Sequence, residues 1–243
     1  LQIAGKPLVL WVVERALAAR SVTRAIVATD DTRIFDCITS AGFEAVMTNA
    51  RHATGTDRIA EVARDLDAEI IVNVQGDEPL IEPETIDRAV SALINDREAE
   101  IATTSEPIDD IADVLSRSVV KVVVDDAGRA LQFSRGPIPF PKQAVLRHGS
   151  IEAALRNPDE SGLLSTFRKH TGLYVYRREF LLKFTGWPRS EGEVAESLEQ
   201  LRALERGTKI RVVQASARSI GVDTIEDLER VRALVEGDAK LLV

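Results

Sequence analysis

The 243 residues contain one cysteine, one methionine, three histidines and few aromatics. A single thiol, Cys37, excludes an internal disulfide framework and fits a reducing, cytoplasmic setting. Three histidines at unhelpful spacings, with that one cysteine, leave no basis for a zinc site. No apolar run approaches the roughly 20 residues that cross a bilayer, and no signal-peptide pattern opens the sequence at Leu1. No G-x-G pair exists, so the dinucleotide fingerprint is absent. The phosphate-loop pattern of the Walker ATPases and the G-x-S-x-G nucleophile turn are missing too. Basic residues are scattered among acidic ones at a net charge of −8, which disfavours nucleic acid. An anionic substrate would have to be held by local cations and a metal rather than by the whole-protein field.

What the sequence does hold is a hydrophobic content of 44%, enough for one large α/β domain. Strand and helix patterns alternate from the start. Pro7 suits the first position of a helix whose apolar face carries Leu10, Trp11, Val13 and Leu17. A strand over 24–28, a helix over 32–41 closed by Gly42, and a strand over 43–47 follow. Residues 70–74 read as a buried strand and 83–96 as a helix. This alternation predicts a largely parallel sheet. Beyond it, 119–124 and 130–134 read as a hairpin through Asp125-Asp126-Ala127-Gly128. Three prolines keep 135–141 out of a helix, and 142–165 reads as an irregular mobile loop. A strand over 171–176, helices over 178–185 and 193–206, a strand over 210–213 and a last helix after Asp223 complete the pattern.

The chemistry centres on Asn73-Val74-Gln75-Gly76-Asp77-Glu78-Pro79, at the carboxyl end of the strand over 70–74. Ligands of open α/β sheets bind outside such strand ends. Gly76 and Asp77 are also ordinary turn residues. Asp223, equally between a strand region and a helix, could meet Asp77 around one Mg²⁺, an ion that prefers oxygen ligands shared with phosphates. Its competing role is local: Asp223 and Glu226 have the spacing of a capping box. Thr54-Gly55-Thr56-Asp57-Arg58 offers hydroxyls and helix-start amides to an anion, or is a plain cap. Arg135, at the end of a strand, could grip a carboxylate or phosphate through two parallel hydrogen bonds. Period-2 alternation puts His170, Gly172, Tyr174 and Tyr176 on one strand face. Glu199-Gln200 sits on a helix whose stripe is Leu198, Leu201 and Leu204, where a solvated face is the ordinary outcome.

Eight separated segments, in order, resemble 3-deoxy-manno-octulosonate cytidylyltransferase, the CMP-KDO synthetase family. They are Val27-Ala28-Thr29-Asp30, Thr54 to Arg58, Val72 to Pro79 and Val119 to Val123, followed by Phe133-Ser134-Arg135, His170 to Tyr174, Leu198 to Arg202 and Gly221 to Thr224. The resemblance implies a GT-A-like nucleotidyltransferase fold in a single domain over 1–243, with a mostly parallel central sheet flanked by helices. It implies an inserted antiparallel hairpin and loop region, 118–176, contributing to the sugar site and the dimer. The implied reaction is CTP plus KDO giving CMP-KDO and pyrophosphate for lipopolysaccharide assembly, by a cytoplasmic homodimer. By carry-over, Asp77 and Asp223 resemble the Mg²⁺ ligands, with Arg135 beside them in catalysis. Gln75, His170, Tyr174, Glu199 and Gln200, with Arg135, resemble the sugar-acid residues, and Thr54, Gly55, Thr56 and Arg58 part of the nucleotide site. The sequence departs from the family at Thr171, where Ile or Leu is usual, at Gly192, where Leu is usual, and at Ile225, where Pro is common. Family members also carry a strand and an Arg/Ser/Lys-rich triphosphate loop ahead of the segment matching Leu1; read literally, the sequence lacks both.

Other readings stay open on the residues alone. One is a cytidylyltransferase for 8-amino-KDO or sialic acid. Another is a GT-A glycosyltransferase using Asp65-Leu66-Asp67, although that pair precedes its strand. A third is a non-catalytic binding protein lacking the triphosphate loop.

Overall fold

The computed structural model describes residues 1–237. A minimal hairpin of β1 (Gln2–Ile3) and β2 (Lys6–Pro7) opens the chain. Ala4 and Gly5 both take positive φ there, as a two-residue hairpin connection requires. Helix α1 (Leu8–Leu17) starts with Pro7 at its N-cap, one place before the expected position. Strand β3 (Ile26–Thr29), helix α2 (Thr32–Ser40) and strand β4 (Glu44–Met47) form a βαβ unit with parallel strands. Asp31 caps α2, and Gly42 at φ +83° turns the chain out of it, as anticipated. Next come α3 (Gly55–Ala63), β5 (Ile70–Asn73), α4 (Pro83–Asn95), β6 (Ala99–Pro107) and α5 (Ile111–Leu115). The hairpin is β7 (Lys121–Val124) and β8 (Ala130–Ser134), with Gly128 at φ +73° in its turn. Then follow α6 (Lys142–His148), α7 (Ile151–Arg156), β9 (Arg168–Arg177), α8 (Arg178–Phe184), α9 (Glu191–Glu196), α10 (Glu199–Glu205), β10 (Lys209–Gln214) and α11 (Ile225–Gly237).

The chain divides into two compact units. The first holds Leu1–Ser91, Leu173–Gly186 and the described residues from Ser216 onward. In it β5 pairs antiparallel with the end of β9, in the register Ile71↔Tyr176 and Asn73↔Tyr174. Its core joins Ile3, Leu8, Trp11 and Val12 to Val222, Leu228, Val231 and Val235, so α1 and α11 close on one apolar seam. Each such aliphatic, fully buried, contributes about 1.5–3 kcal/mol. Arg178 stitches the first turn of α8 to the end of α3, donating to the Ala63 and Arg64 carbonyls at 2.6 and 2.7 Å.

The second unit holds Ala92–Gly172 and Trp187–Ala215. Its strands run in the order β10-β6-β9-β7-β8, with β10 parallel to β6 and β7 antiparallel to β8 and β9. Ile108, Val114, Leu155 and Phe167 make a compact apolar cluster.

Three expectations change. The sheet pairings are mixed rather than mostly parallel, because β5 pairs with β9, far along the sequence, and not with its βαβ neighbours. Residues 142–165 are not an irregular loop: α6 and α7 occupy much of them, joined by Gly149 at φ +85° and capped by Ser150. Such short helices bury only Ala144, Ala154 and Leu155, too few for a period of 3.6 to register. The helix expected over 193–206 is two helices, broken where Ser197 adopts the left-handed conformation at φ +53°. No described helix is long and apolar enough to cross a membrane.

Candidate active site

Within the first unit, β5 ends at Asn73 and the chain turns, with the Glu78 N–H donating to the Gln75 carbonyl at 3.2 Å. The carbonyl of Asp77 then accepts the N–H of Val222 at 2.8 Å. That single bond places the turn after β5 against the segment leading into α11, so Asp77 and Asp223 share one locality. Val74, Leu80 and Ile220 pack on the apolar seam beneath and fix both segments. Asp223 is not the cap of α11. Thr224 and Asp227 form the reciprocal box one residue later: the Thr224 N–H and hydroxyl donate to the Asp227 carboxylate at 3.0 and 2.8 Å, and Thr224 Oγ1 accepts from the Asp227 N–H at 3.1 Å. The Asp223 carboxylate is therefore released from helix capping and exposed. Partial burial holds the Asp77 carboxyl above the ordinary range, and the negative charge of Asp223 pushes it further up. No ion pair among the described residues relieves either group. Two carboxylates that repel each other near a strand end, with no ion pair among the described residues, are an arrangement that a cation would stabilise.

Gln75 and Tyr174 both lie at this strand end, linked through Asn73. Gln75 Nε2 donates to Asn73 Oδ1 at 3.3 Å, and buried Asn73 lies opposite Tyr174 in the β5–β9 register. Tyr174 stacks on Tyr176 at 5.8 Å, as period-2 alternation implied, and Tyr176 stacks in turn on Phe184. Thr54 is the N-cap of α3, accepting the Asp57 N–H at 3.2 Å, and Thr56 is buried behind it. Gly55 is the first helical residue and exposed. Arg58 binds Asp30 at the end of β3, at 3.1 Å, and Thr48. The local capping role of this segment is thus real, and any ligand would meet the helix start as already built.

The second unit gathers Arg135, His170, Glu199 and Gln200 around β8. Helix α10, which carries Glu199 in its first turn and buried Gln200, packs against β8. The His170 ring stands edge-on to Phe133 of β8 at 5.0 Å, and its Nε2 hydrogen-bonds with Thr103 Oγ1 at 2.9 Å. Burial pushes the His170 imidazole down to about 3. It is therefore neutral near pH 7 and acts as a hydrogen-bonding group. Glu199 accepts from Arg202 at 3.2 Å; buried Arg202 also pairs with buried Glu193 at 3.0 Å and donates to the Trp187 carbonyl at 3.0 Å. Arg135 follows β8, its Nε donating to the Glu196 carbonyl at 2.7 Å and its Nη1 to the Arg117 carbonyl at 3.1 Å.

The departures at 171 and 192 have local causes. The Thr171 hydroxyl hydrogen-bonds with that of Thr104. A side chain at 192 would displace the exposed Glu205 carboxylate from its place beside Ser190, whose Oγ donates to it at 2.8 Å. The sequence reading missed Asn73, Thr103, Lys121 and Glu196. Only Lys121 carried a signal: a lysine in the middle of a β-branched run demands a buried partner for its ammonium.

The fold belongs to an α/β class that transfers nucleotidyl groups. The structure superimposes on that of CMP:2-keto-3-deoxy-manno-octonic acid synthetase complexed with CTP, with a TM-score of 0.85 and 39% identity over 98% of this chain and 90% of that one. A 12% identical chain, 4-diphosphocytidyl-2C-methyl-D-erythritol synthase from Anaerococcus prevotii, shares the fold at a TM-score of 0.58. The cytidylyltransferase family model matches residues 1–210. The 3-deoxy-manno-octulosonate cytidylyltransferase of Geobacter sulfurreducens is 51% identical over 94% of this chain and 89% of its own length. That of Trichlorobacter lovleyi is 49% identical over 95% and 88%. The chain belongs to the cytidylyltransferase family, among the 3-deoxy-manno-octulosonate cytidylyltransferases.

Proposed function

We propose that this protein transfers CMP from CTP to the anomeric hydroxyl of 3-deoxy-manno-octulosonate, releasing pyrophosphate and supplying CMP-KDO for lipopolysaccharide assembly. The observation that carries the reading is the Val222–Asp77 hydrogen bond, which brings two distant acidic residues to one strand end. It agrees with a GT-A-like reading of the fold, in which a carboxylate pair at such an end holds the metal.

Asp77 and Asp223 fit a divalent cation, and Mg²⁺ in particular. Both are hard oxygen donors, burial and then the Asp223 charge raise Asp77, and Mg²⁺ ordinarily takes one or two carboxylates and completes its shell with water and phosphate. Bound there, the ion supplies charge neutralisation at the phosphates and favours ionisation of the attacking hydroxyl. The chain's own residues bind and orient. The hydroxyl attacks the α-phosphorus in line and pyrophosphate leaves, with no covalent intermediate on the protein. Arg135 supplies the fixed positive charge toward the sugar carboxylate. His170, neutral, and Gln75, Tyr174, Glu199 and Gln200 supply directional hydrogen bonds to the sugar acid. The amides at Gly55 and Thr56, with Thr54 and Arg58, serve the nucleotide.

The test is pyrophosphate release from CTP with Mg²⁺ and, separately, 3-deoxy-manno-octulosonate, its 8-amino relative and sialic acid. Release with the first is expected. Release with sialic acid alone, or with the 8-amino sugar alone, would reassign the substrate. The same reading carries a homodimer, so light scattering should give twice the chain mass at micromolar concentration; a monomer would remove that part.

A further inference from the structure

Arg135 is held from three sides, and only part of the hold is made by its own side chain. Its N–H donates to Glu196 Oε2 at 2.8 Å, while Ser134 Oγ donates to Glu196 Oε1 at 2.7 Å. One carboxylate thus clamps two successive residues at the end of β8. Ser134 Oγ in turn accepts the Gly136 N–H at 2.9 Å, extending the clamp to the residue after Arg135. The Arg135 carbonyl accepts from Lys121 Nζ at 2.8 Å. Lys121 is fully buried, and its other two protons go to the Ser116 and Val119 carbonyls, also at 2.8 Å. All three ammonium donors are used, which is how a lysine can stay charged inside a sheet. Burial pulls the Lys121 ammonium below the usual range, and the charges of Asp113 and Glu196 oppose that. Glu196 is therefore both the acceptor for the Arg135 backbone and part of the counter-charge for Lys121.

The left-handed Ser197 completes the geometry. By ending α9 there, it points the Glu196 carbonyl at Arg135 Nε, 2.7 Å away, and leaves the Ser197 carbonyl 3.5 Å from Nη2. Nε is the firmly held proton; each outer nitrogen keeps a further N–H beyond its single carbonyl contact. A guanidinium fixed at its stem with outer protons to spare suits bidentate recognition of a carboxylate.

We propose that Glu196 is a positioning residue for the sugar acid: it acts through Arg135, with Lys121 as the second anchor, and sets the affinity for the substrate carboxylate without touching it. The proposal rests on the cytidylyltransferase reading, in which Arg135 faces the sugar acid. It is tested by steady-state kinetics with CTP and 3-deoxy-manno-octulosonate varied in turn, with melting temperatures, on Glu196→Ala, Glu196→Gln and Arg135→Ala. Glu196→Ala is expected to raise KM for the sugar acid about tenfold or more, since a displaced contact group costs up to about a hundredfold. KM for CTP should change less than about twofold, a specificity that simple loss of fold does not produce. Glu196→Gln keeps an oxygen for the Arg135 N–H and should recover most of the loss. Equal losses toward both substrates in Glu196→Ala, or no recovery in Glu196→Gln, would overturn the positioning role. If Arg135→Ala itself leaves the sugar-acid KM unchanged, the assignment of Arg135 fails instead, and the proposal falls with it.

Discussion

Replacing Asp77 by Asn removes one of two neighbouring carboxylates while preserving shape and the backbone bond to Val222. Partial burial first, and the Asp223 charge after it, hold the Asp77 carboxyl above its ordinary range, so in the metal-free protein at neutral pH its charge is a cost. Asp77 is half-buried and Asp223 exposed, so solvent screens much of the repulsion. Relief of about 0.5–1 kcal/mol is the expected scale for such a discounted pair. In a chain of this size that is a rise of about 1–4 °C in melting temperature. The sign follows from the direction of the shift. A carboxyl raised in the folded state penalises folding above its folded pKa, and the penalty disappears as pH falls below the unfolded value. The gain should therefore be present at pH 7, fade as pH falls through the raised folded value, and be gone below about pH 4. Mg²⁺ with CTP should reverse the order, stabilising the parent by binding and the variant far less. Turnover should fall by about a hundredfold or more, the scale for losing a group that stabilises developing charge. Scanning fluorimetry in EDTA and in Mg²⁺–CTP, beside a pyrophosphate-release assay, reads both effects. An Asn variant that melts lower without metal, or turns over at the parent rate with Mg²⁺ saturating, would refute the reasoning.

Three further outcomes are expected. His170 stays neutral in the fold down to about pH 3, whereas in the unfolded chain it takes a proton below about 6.5, so stability is lost as pH falls from 6.5. Urea unfolding between pH 6 and 5 should show His170→Asn losing less than the parent, by up to about 1.4 kcal/mol per pH unit; equal slopes would show that the ring is solvated. Ile225, 75% exposed and the first residue of α11, should accept Pro, with a gain of about 0.4–1 kcal/mol in thermal melts, because the first helical N–H needs no intrahelical partner. A destabilised variant would mean that this N–H is in use. Ser197→Val should cost about 1–2 kcal/mol, since a β-branched residue resists the left-handed conformation, while Ser197→Gly should be neutral or better; a tolerated Val would mean that the break between α9 and α10 can relax.

The apolar strand over 70–74, the Asp125–Gly128 hairpin turn, the Gly42 exit and the boundaries of α4 were legible because each rests on residue types whose local preference agrees with the fold. The short helices over 142–156 were not, having too few buried positions to leave a period. The break at Ser197 was also hidden, since nothing in Glu196-Ser197-Leu198 forbids a continuous helix. Asp223 is the instructive residue. Its spacing to Glu226 fits a capping box, but Thr224 and Asp227 form the box instead.

By itself the sequence determined which residue types stand at strand ends and helix starts, hence the family and the acidic, amide and cationic groups it can use. Only the tertiary structure decided which of them are at liberty. Sequence spacing records local neighbours, whereas the state of Asp77, the neutrality of His170 and the anchoring of Arg135 depend on burial and on charges brought in from distant segments.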